Sequence, residues 1–126
     1  MKTILVDDMP LDMSLLQIKC KDFQDIEIVG AFDDYSNALS YAADNEVECA
    51  LLDIDMPGMN GIELADLLQK SYKDIIIVFV TAYSKFALEI MKKEENLIIY
   101  KPVLQENLEE VVNLVRNRYS SLKKTA

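Results

Sequence analysis

The chain has 126 residues, of which 51 % are hydrophobic, and it carries a net charge of −9 with no histidine. This length predicts one domain, and because no stretch reaches the roughly 18 unbroken apolar residues of a membrane span, we expect a soluble protein. The acids in MKTILVDD argue against a signal peptide, and Cys20 and Cys49, both in apolar surroundings, are expected to be reduced thiols, so we expect a cytoplasmic location. The acidic balance argues against direct nucleic-acid binding, and the lack of histidine excludes Ser-His and Cys-His nucleophile pairs and histidine metal sites.

Five short apolar runs predict β-strands, and most lack the alternation that is typical of a half-exposed strand. The runs are Thr3–Val6, Ile26–Val29, Cys49–Leu52, Ile75–Val80 and Leu97–Tyr100. Because an amphipathic stretch follows each run, the chain alternates strand and helix five times. We therefore predict an α/β fold of the flavodoxin-like (βα)5 type, a doubly wound parallel five-stranded sheet in the order 2-1-3-4-5.

Each predicted helix has apolar residues at helical spacing, which we expect to face the core. They are Leu11, Leu15 and Ile18; Ala38, Leu39, Ala42 and Ala43; Ile62, Leu64, Ala65 and Leu68; Phe86, Ala87, Ile90 and Met91; and Leu104, Leu108, Val111, Val112 and Val115. The domain is predicted to cover residues 1–119, followed by a short polar C-terminal tail over residues 120–126 that frays.

Polar residues follow the carboxyl ends of the predicted strands, where sites form in open α/β sheets. Asp7 and Asp8 follow the first run, Asp53 the third, Thr81 the fourth and Lys101 the fifth. Since strands one and three are neighbours in the predicted order, the three carboxylates should converge. Carboxylates repel one another, so we expect a hard divalent cation, Mg²⁺, to bind among them.

This group of residues suits one reaction in particular. A carboxylate beside Mg²⁺, a lysine and a hydroxyl can attack phosphorus and form an aspartyl-phosphate, while the positive charges stabilise the transition state. Each residue also has an ordinary interpretation, such as a helix cap for Asp8 or a turn former for Asp53. The ordinary interpretations explain the whole set less well than they explain any one residue, because each residue would then lie at the carboxyl end of a strand by coincidence.

Four segments carry a family resemblance. ILVDDMP, ALLDIDMPGMNGIEL, VFVTAYS and YKPV resemble the receiver domain of bacterial two-component response regulators, over residues 2–118. The resemblance implies that Asp53 is the phospho-acceptor, that Asp8 binds Mg²⁺ directly and that Asp7 acts on it through water. It also implies that Asp55 contributes its backbone carbonyl, rather than its side chain, to Mg²⁺.

The same resemblance implies roles at the ends of the last two strands. Thr81 resembles the switch hydroxyl, Lys101 the phosphate-pairing lysine, and the Lys101-Pro102 bond the family's cis peptide. The family usually has an aromatic switch residue three places before the lysine, where this chain has Ile98. Either Ile98 takes that role as an aliphatic substitute, or Tyr100, on the same side of the strand, takes part.

The resemblance also implies partners and an output. A histidine kinase or phosphotransfer protein would donate the phosphoryl group to a signalling domain that is not itself an enzyme with a separate substrate. The face formed by the fourth helix, fifth strand and fifth helix would carry the output and could form a homodimer contact. TAYSKFALEIM resembles receivers that precede a LytTR-type DNA-binding domain. We therefore expect control of transcription through another domain or partner.

Three alternatives fit parts of the pattern. The chain could be a pseudo-receiver, an interaction module that is never phosphorylated. Asp53-Ile54-Asp55 resembles the D-x-D of haloacid-dehalogenase-type phosphatases, in which the second aspartate is a general acid and base. That motif normally lies near the start of a longer chain, whereas here the pair Asp7-Asp8 precedes it. A flavodoxin-like cofactor binder shares the fold, but no Ser/Thr-rich phosphate loop follows the first strand.

Overall fold

The computed structural model describes residues 1–82 and 96–124. The strands in these ranges are β1 (Lys2–Val6), β2 (Glu27–Phe32), β3 (Cys49–Asp53), β4 (Ile76–Thr81) and β5 (Leu97–Tyr100). The helices in them are α1 (Pro10–Cys20), α2 (Tyr35–Asp44), α3 (Gly61–Ser71) and α4 (Gln105–Lys124). The apolar positions of the fourth predicted helix, residues 86–91, lie outside the described residues, so α4 corresponds to the fifth predicted helix.

The strands form one parallel sheet in the order β2-β1-β3-β4-β5, which confirms the predicted fold class. The register pairs Val6 with Leu52 and Thr81 with Tyr100. The carboxyl ends of the four strands β1, β3, β4 and β5 therefore lie along the same edge of the sheet. β2 lies at the outer edge of the sheet beside β1 and is only half-buried, because just one side of it is paired.

Alternate residues along the strands enter two apolar layers, one on each face of the sheet. One layer contains Ile4, Val6, Ala50 and Leu52 with Ala38, Ala42, Leu64 and Leu68. The other contains Leu5, Leu51, Val78 and Ile99 with Leu16, Cys20, Leu108 and Val112. Burial on both faces explains why the central strands have near-continuous apolar runs rather than an alternating pattern.

The C-terminal helix α4 extends further than the sequence indicated. It ends at Lys124, so residues 120–124 continue the helix instead of forming the polar tail that we expected. Tyr119 and Leu122 pack against the core, and the Tyr119 hydroxyl donates a hydrogen bond to Glu48 Oε2 at 2.6 Å. These contacts hold the last turns on the sheet. Within the described ranges, no helix has both the length and the apolar character needed to cross a bilayer.

The core face of α1 differs from our prediction. Leu11, Leu15 and Ile18 are 71 %, 47 % and 60 % exposed, whereas Leu16 and Cys20 are buried. Two apolar stripes overlap on this helix, and the pattern alone does not say which of them meets the sheet. The prediction was therefore wrong, and α1 presents an apolar stripe of three residues to solvent.

The burial of Leu16 and the exposure of Leu11 predict different effects of their substitution on stability. Leu16→Ala should lower the free energy of unfolding by about 2–4 kcal/mol, because it removes buried methyl groups and leaves a cavity. Leu11→Ala, a matched substitution five residues earlier on the same helix, should change it by no more than about 0.5 kcal/mol. Urea denaturation of both variants measures the difference. A larger loss for Leu11→Ala than for Leu16→Ala would mean that α1 packs through the other stripe.

Candidate functional site

The predicted site residues lie together at the carboxyl edge of the sheet. Asp7 follows β1, Asp53 and Thr81 are the last residues of β3 and β4, and Lys101 follows β5. Asp7, Asp53 and Thr81 are buried polar residues, and the side chain of Lys101 is only 17 % exposed. The Lys101 N–H donates to the Thr81 carbonyl at 2.8 Å, which joins the ends of β4 and β5. The sheet thus collects acidic, basic and hydroxyl groups at one place.

The three carboxylates form a cluster with the chemistry of a cation site. Carboxylate oxygens of Asp7, Asp8 and Asp53 lie within 4.8 Å of one another. The Asp8 Oδ1 atom is buried and has no hydrogen-bond partner among the described residues. A buried carboxylate oxygen without a partner is costly unless a positive charge compensates it. An all-oxygen donor set of this kind fits Mg²⁺ rather than zinc.

Asp7 is held by the chain around it. Its Oδ1 atom accepts a hydrogen bond from the Met9 N–H at 2.8 Å, where α1 begins, and its Oδ2 atom accepts one from Lys101 Nζ at 2.9 Å. Both oxygens of Asp7 therefore have protein partners already. Asp8 differs in this respect, because its Oδ1 atom has no partner among the described residues.

The Lys101 ammonium contacts three carboxylates in the part of the chain that the structure describes. It lies 2.9 Å from Asp7 Oδ2, 3.0 Å from Asp12 Oδ2 and 3.6 Å from Asp53 Oδ2. Burial lowers the pKa of Lys101, but its hydrogen bonds to Asp7 and Asp12 outweigh that effect and raise the pKa. The side chain therefore stays charged. Sequence reasoning missed Asp12, although its place four residues after Asp8, in the first turn of α1, was a signal.

Asp53 sits in an environment that disfavours its ionised form. Burial, followed by the negative charge of Asp7, raises the pKa of Asp53 to about 7, although Lys101 and a 3.4 Å hydrogen bond from the Asp55 N–H act in the opposite direction. Near neutral pH the carboxyl is therefore partly protonated. A cation in the cluster would favour the carboxylate, which is the nucleophilic form.

Close packing at the start of α3 fixes the backbone of Asp53. The Gly61 N–H donates to the Ile54 carbonyl at 2.9 Å, and a Cβ atom at Gly61 would collide with the carbonyl oxygen of Asp53. Asn60 caps this helix, since its side chain accepts from the Glu63 N–H at 2.9 Å. Only glycine lets α3 begin directly against the end of β3, so this residue positions the predicted acceptor.

Thr81 and Lys101 lie at the ends of neighbouring strands, and one expected backbone feature is present beside Lys101. The Thr81 hydroxyl donates to the Ala82 carbonyl at 2.9 Å, so it is bonded to the main chain. The Lys101-Pro102 peptide bond is cis. Ile98 and Tyr100 are half-buried, while Leu97 and Ile99, which alternate with them, are buried. That alternation places Ile98 and Tyr100 on the same side of β5, and the choice between them as switch residue stays open.

Comparison with known proteins identifies similar chains. A family model described as the response regulator receiver domain matches residues 3–113. The chain is 33 % identical over 107 residues to the transcriptional regulatory protein NatR of Bacillus subtilis (strain 168), covering 85 % of this chain and 46 % of that protein. It is 33 % identical over 108 residues to the transcriptional regulatory protein YpdB of Escherichia coli (strain K12), covering 86 % and 44 %.

A solved structure is similar over nearly the whole chain. The response regulatory domain of protein MrkE from Klebsiella pneumoniae superposes with a TM-score of 0.79 at 29 % identity, covering 98 % of this chain and 99 % of that one. The segment that the family model matches includes every site residue from Asp7 to Lys101. The chain spans less than half the length of NatR and YpdB.

Proposed function

This chain belongs to the response regulator receiver domain family, and we propose that Asp53 accepts a phosphoryl group from a histidine kinase or phosphotransfer protein in a Mg²⁺-dependent reaction. One observation carries the proposal: the buried Asp53 carboxylate lies 3.6 Å from the charged Lys101 and beside Asp8, one oxygen of which has no partner within the described ranges. This setting can hold a cation and can stabilise added negative charge. A carboxylate that served only as a turn former would need neither.

The reaction uses the side chains in separate roles. A carboxylate oxygen of Asp53 attacks phosphorus, the P–N bond of the donor phosphohistidine breaks, and the imidazole leaves with the bonding electrons and takes up a proton. Lys101 and Thr81 bind the phosphoryl oxygens, which carry the growing negative charge.

The carboxylate cluster would also hold the metal ion. We propose that Asp8 and Asp53 bind Mg²⁺ directly, that the Asp55 backbone carbonyl is a further ligand and that Asp7 acts through water. When bound, Mg²⁺ neutralises the carboxylates and the transferred phosphoryl group.

Intact-mass measurement after incubation with acetyl phosphate tests this function. Wild type should gain one phosphoryl group, about 80 Da, only when Mg²⁺ is present, and Asp53→Asn should gain none. Asp55→Asn is the matched control, since its side chain is exposed and it should still be modified. No gain by wild type would favour the pseudo-receiver. Turnover of a phosphomonoester that depends on the Asp55 side chain would favour the phosphatase.

The exposed stripe on α1 is where we propose that the phosphodonor docks. Leu11, Leu15 and Ile18 are exposed, and Leu15 also lines a cavity together with Asp7 and Lys101, so the stripe borders the site. A protein that brings phosphohistidine to Asp53 must cover the surface around it, and an apolar stripe gives such a partner area to bury.

Two donors of different size separate docking from chemistry. Leu11→Ser should slow transfer from a purified histidine kinase that phosphorylates the wild-type chain by roughly tenfold, because it removes an apolar contact of about 1–2 kcal/mol. Phosphorylation by acetyl phosphate, which is too small to contact the stripe, should not change. Equal slowing with both donors would show that Leu11 acts on the site itself and not on docking.

The output is proposed from the relatives and from the position of the switch residues. NatR and YpdB are transcriptional regulatory proteins, so we propose that phosphorylation of this domain controls transcription through another domain or partner. Thr81 and Lys101 would move towards the phosphoryl group and shift the population of conformations at β5 and α4. A homodimer contact through this face would include the fourth predicted helix, which lies outside the described residues.

A further inference from the structure

The Lys101 ammonium is closer to two of its carboxylate partners than to the third. Its two short contacts, 2.9 and 3.0 Å, are to Asp7 and Asp12, whereas Asp53 is 3.6 Å away. Asp7 is a predicted part of the site, but Asp12 belongs to the first turn of α1 and its side chain is 38 % exposed. The lysine expected to pair with the phosphoryl group is therefore held mainly by other carboxylates.

We propose that Asp12 is a positioning residue that holds the Lys101 ammonium on the α1 side of the site and so opposes its pairing with a phosphoryl group on Asp53. This inference rests on the proposed function and adds a control on that same site. Asp12 favours the unphosphorylated state, because Lys101 must give up its ion pair with Asp12 in order to pair with the phosphoryl group. Removing the charge of Asp12 should release the lysine.

The movement that this role requires is short, because Lys101 Nζ already lies 3.6 Å from Asp53 Oδ2. A cavity of about 100 Å³ on the α1 side of Lys101 is lined by Asp7, Asp12, Leu15 and Pro102 among others, so the contact between Lys101 and Asp12 borders open space. The ammonium has three N–H donors, and a phosphoryl group with nearly two negative charges is a stronger acceptor than one carboxylate. The lysine can therefore exchange its contact with Asp12 for one with the phosphoryl group by a short movement of its ammonium.

Three variants test the inference. Asp12→Asn removes the charge and keeps the size, and Asp12→Glu keeps the charge. Asp33→Asn is the matched control, because Asp33 is exposed and follows Phe32, whose carbonyl accepts from the Asp7 N–H. The first readout is the Kd for beryllofluoride, an anion that mimics a phosphoryl group on a carboxylate, at saturating Mg²⁺. The second is the ¹⁵N NMR signal of the Lys101 ammonium without any anion, assigned by its loss in Lys101→Met.

Asp12→Asn should bind beryllofluoride roughly 2- to 5-fold more tightly than wild type, the range expected for releasing a partly exposed ion pair. Its Lys101 signal should shift, while Asp12→Glu should stay closer to wild type in both readouts and Asp33→Asn should match wild type. Unchanged or weaker beryllofluoride binding by Asp12→Asn, or an unchanged Lys101 signal, would overturn the inference alone. If wild type neither binds beryllofluoride nor gains a phosphoryl group, the proposed function fails and this inference fails with it.

Discussion

Replacing Lys101 with methionine should lower the free energy of unfolding by about 2–4 kcal/mol at neutral pH without Mg²⁺. The substitution keeps the apolar stem but leaves Asp7 and Asp53, both 4 % exposed, without their shared positive charge. Breaking a buried pair by removing one partner is costly because the other charge stays uncompensated. The lysine is itself slightly exposed, so we expect the lower part of the range known for such pairs.

The same variant should take up phosphoryl groups from acetyl phosphate roughly 100-fold more slowly, since one donor to the charged oxygens is lost. Mg²⁺ should restore part of its stability, because a dication among the carboxylates replaces the missing charge. Lys70→Met, an exposed lysine in α3, is the control and should change neither quantity appreciably. Denaturation with and without Mg²⁺ measures the first effect, and intact mass against time the second. A fully stable Lys101→Met protein would contradict the shared ion pair.

The second large effect is a pH dependence of the free energy of unfolding that arises from the titration of Asp53. Its pKa is raised to about 7, with burial the main cause and the charge of Asp7 the next. In the unfolded chain the pKa of an aspartate is about 4, so between pH 4 and 7 the folded protein binds more protons. Stability from this group is therefore full below about pH 4 and is lost as the pH rises towards 7.

Asp53→Asn removes this dependence without changing the shape of the side chain. Relative to wild type, the variant should gain up to roughly 4 kcal/mol of stability between pH 4.5 and 7.5 in the absence of Mg²⁺. The difference between the two proteins is the useful quantity, because other acids act in the opposite direction; a hydrogen bond from Arg116 lowers the pKa of Asp25, for example. Urea denaturation across that range measures it, with Asp55→Asn as control. A wild-type-like pH profile in Asp53→Asn would show that Asp53 is not the group responsible.

The sheet and the site could be predicted from local sequence because both depend on where apolar runs end. In ILVDD and ALLD an apolar run is followed directly by aspartate. The run predicts a strand that is buried on both faces, and the aspartate marks the position at the edge of the sheet where that strand ends. The strand order then follows from the few topologies that parallel crossovers allow. That is why Asp7, Asp53, Thr81 and Lys101 were found at one edge, where the structure has them.

The remaining features depend on contacts that are distant in sequence. Which stripe of α1 is buried depends on the layer that Leu16 and Cys20 meet, and the pair of Asp12 with Lys101 spans 89 residues. The extra turns of α4 are held by Tyr119 against Glu48, a partner 71 residues away. Hydrophobic periodicity carries no information about such contacts, so it could not have predicted them.

Borohydride reduction followed by peptide mapping tests most directly whether Asp53 carries the phosphoryl group. Borohydride converts an aspartyl-phosphate to homoserine, so the modified position is read from the sequence of the peptide. After incubation with acetyl phosphate and Mg²⁺, we expect homoserine at position 53 alone, and none when Mg²⁺ is left out. Homoserine in place of Asp7, Asp8 or Asp55, or a phosphoryl group on a hydroxyl side chain with none on Asp53, would contradict the proposed function.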